Sequence, residues 1–351
     1  MVEAGLLETL ESQAMVTAML HGDRVQAGVR PFDPRRDLGP VAELISVAFR
    51  DRLAPDGDIA LAQMHRVARL SPLLWWLYWP ELGRTSVAPG FVWVEHGIVV
   101  GNVSLRRSVE WGGFFVGNVA VHPDWQGRGI ASTLMRVALD EISARGGRWV
   151  GLEVRADNFV AARLYEHLGF GEVGRALHML RPAGMPRTEN PPPYPALRRG
   201  RAYDSAALID LVYAVIPGPH RPLLELRRRG YRPGWERTLN CWLDGRHEVW
   251  WVVEEEGVLH GAVRALRERR PRPDRLEVLL SPGHSERLAS VLVQRGVSSL
   301  RDAPRKMVEI VLPSPTEPLI EALEATGFQR MYVLVQMRLD LVHRIPIRSG
   351  R

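Results

Sequence analysis

Residues 91–121 hold three apolar-rich runs broken twice by glycine, at His96-Gly97 and at Trp111-Gly112-Gly113. That pattern predicts strands over 91–95, 98–110 and 114–121, joined by tight hairpin turns into an antiparallel meander. Upstream, a strand is expected over 25–30 and a helix over 38–49. Downstream the period changes: Leu134, Met135, Ala138, Leu139 and Ile142 recur at helical spacing, and Arg145-Gly146-Gly147 closes the helix. A strand in "RWVGLEV", from Arg148, and a helix in "NFVAARLYEHLGF", from Asn158, complete a unit of mixed α/β order, a strand feeding a helix feeding a parallel strand.

The same order returns. "VRPFDPRRDLGPVAELI" from Val29 is echoed by "LRRGRAYDSAALIDLV" from Leu197, and "YEHLGFGEVGRALHML" from Tyr165 by "LEATGFQRMYVLVQM" from Leu323. An internal duplication of about 150 residues, one ordinary domain length, follows. Between the echoes the chain reads "RPAGMPRTENPPPY" from Arg181, where prolines lack backbone donors and favour extended linker. The expected division is an extension over 1–24, a first copy over 25–182, a linker over 183–194 and a second copy over 195–342. Within the extension, 6–19 is weakly amphipathic and reads as a short helix with no evident function.

Candidate chemistry concentrates where the first copy passes from strand to helix, at Gln126-Gly127-Arg128-Gly129-Ile130-Ala131. First-turn amides of a helix have no intrahelical partner, the dipole there is positive, and glycine lets a bulky oxyanion approach without striking a Cβ. Arg128 adds a long cation. A diphosphate suits such a nest better than a carboxylate, because several amides converge on several oxygens. The spacing matches neither G-x-x-x-x-G-K-[ST] nor the G-x-G-x-x-G of dinucleotide sites, position 132 being serine. Taken alone, the glycines also fit a turn that merely joins strand to helix.

The neighbours decide between these. Q-x-x-G-x-A follows "NVAVHP" and is itself followed by a long helix, by "GLEVRADN" and by "AARLYEHLGF". Together these resemble the acetyl-CoA-binding core of the GNAT N-acetyltransferase superfamily, over 29–180 in element order and over 116–170 in motifs. The resemblance implies an α/β fold with a mixed sheet, two tandem GNAT-like acyl-CoA N-acyltransferase folds, acetyl-CoA as acetyl donor and no metal. It places pantetheine against backbone near Val119 and Val121, as an added strand. It places the diphosphate at Gln126, Gly127, Arg128, Gly129, Ile130 and Ala131. Asn158 would hold the pantetheine arm or the splay between central strands, and fits a helix N-cap equally.

By the same resemblance Tyr165 hydrogen-bonds to or protonates the leaving thiolate, a phenol of pKa ~10 serving a thiol of pKa ~8.5; the alternative is a tyrosine packed with Ala161 and Leu168. Glu153, in "LEVRADN", matches the glutamate that assists amine deprotonation, often through water, in the branch acetylating protein N-termini. Glu110, or water alone, remains open as the base, and His122 reads as a structural residue before proline. The implied reaction is direct amine attack without an acyl-enzyme. In the second copy Ser281-Pro282-Gly283-His284 stands in place of the turn and Leu323 in place of Tyr165, so that copy is expected to be degenerate and to restrict which amine enters. "LLWWLYW", after Ser71-Pro72, carries Trp75, Trp76, Tyr78 and Trp79 on every face of a short helix; packing on the second copy is favoured over lining an acceptor cleft.

Composition narrows the class. The 351 residues are 46% hydrophobic, enough for two cores, and no apolar run approaches the ~18 residues of a membrane span. With an acidic N-terminus where a secretory signal is basic, a cytoplasmic location is expected. Cys241 is the single cysteine, which excludes an internal disulfide and a zinc knuckle and argues against a thiol route. The net charge of +6 comes with arginine clusters at 198–201, 227–229 and 267–272 but without an aromatic ladder, so nucleic acid is not an expected partner. An amine-bearing small molecule or a peptide or protein N-terminus is. The rival class is a non-catalytic acyl-CoA-binding or interaction protein on the same fold. Oligomeric state is not legible.

Overall fold

The computed structural model describes residues 27–49, 87–186, 193–224, 228–233, 246–268, 272–283, 286–300 and 306–341. The readings made for 1–24, for the aromatic stretch at 71–80, for Cys241 and for His284 lie outside them. The chain forms two compact units, one of residues 1–150 with 340–351 and one of residues 151–339.

In the first unit β1 (Ala27–Pro31), β2 (Val87–Glu95), β3 (Ile98–Arg107) and β4 (Gly113–Val121) pair antiparallel in chain order, the predicted meander. His96 and Gly97 both take positive φ, as the two-residue hairpin of a right-twisted ribbon requires. β3 stops at Arg107, short of the expected 110, because the Ser108 amide turns onto the Gly113 carbonyl at 2.9 Å. Helix α1 (Pro34–Ala48) starts before the expected 38: Asp33 accepts from the Arg35 amide at 3.0 Å and Pro34 occupies the first turn, a cap that periodicity overlooks. Its Val41, Ala42, Leu44 and Ile45 pack on Val92, Val94 and Ala120. Helix α2 (Ile130–Ala144) buries Ile130, Leu134, Met135, Ala138 and Ile142.

The second unit takes up β5 (Trp149–Arg155) from Gly151 onward. It continues through α3 (Phe159–His167), β6 (Gly171–Arg181), β7 (Leu197–Arg199), α4 (Ser205–Val215), β8 (His247–Glu255), β9 (Val258–Arg267) and β10 (Asp274–Leu280). It ends with α5 (Glu286–Ser299), β11 (Val308–Leu312), α6 (Glu317–Ala325) and β12 (Gln329–Asp340). Its strand order is β5-β12-β6-β11-β10-β9-β8-β7. β10 and β11 pair parallel across α5, the strand-helix-strand crossover of a mixed sheet, while β7 to β10 pair antiparallel.

Two strands are interleaved. β12, the last of the chain, lies between β5 and β6, and β6 lies between β12 and β11, antiparallel to both. Leu177 and Met179 of β6 are therefore buried with Leu292, Ile310, Leu323 and Phe328 in one core. Each such side chain stabilises the fold by about 1.5–3 kcal/mol relative to exposure. The compact units divide inside β5, whereas the sequence echo divides at the proline-rich stretch; interleaving is why compactness and repetition give different boundaries.

Both echoes open on one device. Arg30 grips Asp37 through two bonds of 2.5 and 2.7 Å, and the Asp33 amide closes on the same carboxylate at 2.8 Å. Arg198 grips Asp204 at 2.8 and 2.6 Å, and the Arg201 amide closes on it at 2.7 Å.

Candidate functional site

In the first unit β4 runs into the glycine turn. Asn102, itself buried, donates from Nδ2 to the Asn118 carbonyl at 2.8 Å and fixes a bulge there. Asn118 has φ +49, and neither it nor Val119 has a partner residue in the β3 register. The bulge thus turns backbone out of the ladder just ahead of Val121, where pantetheine is expected. Beyond it a short 3-10 turn, Pro123–Trp125, is capped by His122, whose Nδ1 accepts from the Asp124 amide at 3.3 Å. His122 has the structural role expected of it.

Gln126 donates from Nε2 to the Val121 carbonyl at 3.1 Å, so its side chain ties the turn to the strand end. Gly127 and Gly129 take φ +75 and +78, and a Cβ at either would meet nothing within 4 Å. They are glycine because of backbone hand, and the space before them is open. Gly129 caps α2 without a side-chain bond, so the amides that follow at Ile130 and Ala131 open a helix with no side chain on them. This is the geometry an oxyanion needs. Arg128 departs from the simple picture: its guanidinium lies 4.4 Å over the Trp125 ring and donates to the Asp124 carbonyl at 3.2 Å. Glu110 sits in the turn before β4, at the opposite end of that nine-residue strand from the glycine turn.

In the second unit Asn158 caps α3, its Oδ1 accepting from the Ala161 amide at 3.3 Å. Tyr165 is the buried residue of α3, its ring 6.1 Å from that of Phe170. Burial pushes its phenol up to about 12. Among the described residues nothing hydrogen-bonds the Tyr165 hydroxyl. Glu153 is exposed on β5, and Gln336 of β12 donates to its Oε1 at 2.6 Å. Sequence reasoning missed Gln336; its signal is a lone amide in the apolar run "YVLVQMRL", buried between Val335 and Met337. On the same three strands His178 stacks on Tyr332 at 4.6 Å, and burial lowers its imidazole to about 4. Arg155 lies 4.8 Å over the other partner of that stack, Tyr332, and is paired with Asp157 at 2.8 Å.

Among the described residues no group of three His, Cys, Asp or Glu side chains is placed to hold a metal ion, and no helix is long and apolar enough to cross a membrane.

The fold is the GNAT fold. The chain aligns over 90% of its length with 96% of a GCN5-related N-acetyltransferase from Sphaerobacter thermophilus, at TM-score 0.63 and 17% identity. It aligns over 90% with 98% of a tandem GNAT protein from the clavulanic acid biosynthesis pathway, at TM-score 0.58 and 16% identity. Residues 59–170 match the Acetyltransferase (GNAT) family. The ribosomal protein bS18-alanine N-acetyltransferase of Salmonella typhimurium is 49% identical over 55 residues, 16% of this chain and 37% of that protein. N-alpha-acetyltransferase 30 of Schizosaccharomyces pombe is 30% identical over 95 residues, 26% of this chain and 59% of that protein. The chain thus matches between 37% and 59% of the length of these curated relatives.

Proposed function

We propose that the protein is an acetyl-CoA-dependent N-acetyltransferase whose working copy is residues 25–182, with residues 195–342 a degenerate copy. The observation that carries the reading is the glycine turn. Two left-handed glycines with open space before them precede a helix whose first amides have no side-chain cap. The donor of the reaction supplies an activated thioester carbonyl. Toward it, Gln126 to Ala131 hold the diphosphate and the β4 backbone near Val119 and Val121 holds the pantetheine arm.

Glu153 accepts the proton that the amine sheds as its nitrogen bonds the acetyl carbon, directly or through water. Tyr165 serves the departing sulfur. A phenol at about 12 and a thiol near ~8.5 differ by roughly 4–5 kcal/mol in proton affinity, which opposes complete transfer. Tyr165 therefore acts by donating a hydrogen bond as negative charge grows on sulfur, in a site too dry to ionise the phenol. Asn158 caps the helix that carries Tyr165 and so sets its position.

For the acceptor we infer a peptide or protein α-amine. Support comes from the names of the relatives, a bS18-alanine N-acetyltransferase and an N-alpha-acetyltransferase, and from the placement of Glu153 in "LEVRADN". Calorimetric titration with acetyl-CoA is the first test, because it needs no acceptor. One site per chain, followed by turnover of a peptide with a free N-terminus, supports the reading. Binding without turnover of any amine leaves a non-catalytic acyl-CoA-binding protein, and no binding at millimolar ligand removes the glycine turn from the argument.

A further inference from the structure

Beside Glu153 the second unit buries two polar side chains that the reaction above does not use. Gln336 is 1% exposed; its Nε2 is spent on Glu153, and its Oε1 is buried with no hydrogen-bond partner. His220 is also 1% exposed, and its Nε2 is buried without a partner. Both are set against one glycine of β6. Gly174 of β6 is the direct cross-strand partner of Gln336, and a Cβ on Gly174 would lie 2.5–2.6 Å from three atoms of the His220 ring. Side chains of directly opposed residues project on one face with Cβ atoms about 5 Å apart, so the imidazole occupies the place beside the Gln336 side chain.

The loop that delivers His220 is locked. Arg221 donates to the carbonyls of Ile216 and Tyr213 at 2.9 and 2.6 Å, tying it to the end of α4. Buried polar atoms without partners are rare in folded proteins, and each costs about 1–3 kcal/mol. Two beside an exposed carboxylate make a built place for a ligand.

The chemistry of that ligand follows from the donor and acceptor inventory. Burial lowers the His220 pKa and keeps its ring neutral, with one acceptor nitrogen. Gln336 Oε1 and the Glu153 carboxylate are acceptors. Of the nearby cations, Arg221 is committed to backbone carbonyls and Arg155 to Asp157. Among the described residues an anion would find only committed cations there, Arg175 being paired with Glu172, whereas a primary ammonium brings three donors.

We propose that Gln336 and His220, both from the second half of the chain, complete with Glu153 the binding place of the acceptor's primary amine. This rests on the acetyltransferase reading. It deepens it by making the second half a supplier of substrate contacts and by setting a preference for primary over secondary amines.

The test uses the full chain. A peptide with free N-terminal alanine, a peptide whose only amine is a lysine side chain, and spermidine are assayed with acetyl-CoA, and the fastest is kept together with its N-methyl form. His220→Phe keeps a ring in the Gly174 notch, and Gln336→Met keeps the shape of the strand residue. Each is expected to raise the amine KM about tenfold or more, to bring the primary-to-secondary ratio toward one, and to leave acetyl-CoA affinity within twofold. If one variant no longer binds acetyl-CoA, the other decides. Unchanged amine KM and ratio in the folded variants overturn the proposal and leave the acetyltransferase standing. A wild type that binds acetyl-CoA but acetylates none of the three amines also overturns it. A wild type that does not bind acetyl-CoA removes the acetyltransferase reading and this proposal together.

Discussion

The two halves of the chain share a frame and differ where the chemistry is proposed. Each opens with an arginine clamped on a helix-start aspartate, Arg30 on Asp37 and Arg198 on Asp204. Each turns its first long hairpin through a pair of left-handed residues, His96-Gly97 and Glu256-Gly257. Each ends its last helix at a left-handed glycine, with the next amide reaching back at 3.0 Å, Phe170 to the Tyr165 carbonyl and Phe328 to that of Leu323. At the tip of that shared geometry one half has a phenol and the other a fully buried leucine. At the strand-to-helix turn one has Gln126-Gly127-Arg128-Gly129, the other Ser281-Pro282-Gly283. Packing needs the shared devices wherever the fold is built. It has no need of a glycine pair before open space or of a phenol where a leucine serves. Frame and chemistry are separable here, at a handful of positions.

The most severe way to break the comparison is to remove one half. Ending the chain at Pro182 strips β11 and β12 from the two edges of β6 and takes β12 from beside β5. Leu177 and Met179 lose the core in which they are buried. Bare strand edges self-pair, so the fragment is expected to form oligomers or aggregates with no cooperative monomeric melt. A monomer by light scattering that melts cooperatively and binds acetyl-CoA would show the first copy to be self-sufficient.

Matched substitutions sharpen it. Gly129→Val forces a β-branched residue to φ +78 and fills the space before the helix, and is expected to weaken acetyl-CoA binding about a hundredfold and to lower the melting temperature by a few degrees while the protein stays folded. Gly283→Val, at φ +83 in the other half, should leave affinity within twofold. Equal losses in calorimetry would mean that both turns hold donor, or neither. Tyr165→Phe should lower kcat about a hundredfold while acetyl-CoA affinity stays put. Because the Tyr165 proton is held up to about 12, the wild-type rate should show no alkaline decline from this group below pH ~11. A decline near 9 that disappears in Tyr165→Phe would contradict the buried, protonated phenol.

What was legible in the sequence was local. The meander, α2 and the place of the glycine turn follow from period, turn chemistry and helix-end electrostatics, each decided within about ten residues. The start of α1 was written in Asp33-Pro34, yet a reading by periodicity alone places it four residues late. Interleaving was not legible. β6 and β12 come from echoing segments, so either fits beside β5 by pattern, and nothing local states which does. Gln336 was visible as an interruption, but the carboxylate that explains it lies 183 residues earlier. Gly174 and His220 explain each other only once β6 is in place.

The smallest expected effect lies in the shared frame and tests whether its clamp is electrostatic as well as steric. Burial works against a charged Asp204, but the two bonds from Arg198 and the Arg201 amide outweigh it and hold the carboxyl below the ordinary aspartate range. A carboxyl depressed in the folded state contributes stability that is fully present above its unfolded value, near ~3.9, and is lost as pH falls through the folded one. Asp204→Asn keeps the shape and removes the charge. The melting temperature of the wild type should exceed that of Asp204→Asn by a constant margin from pH 7 to pH ~5. The margin should then narrow by a few degrees as the pH drops below ~4, because the protonated aspartate grows to resemble the amide. A margin unchanged down to pH 3 would mean that Arg198 holds Asp204 by shape alone, and the likeness of the two clamps would then be one of geometry without shared energetics.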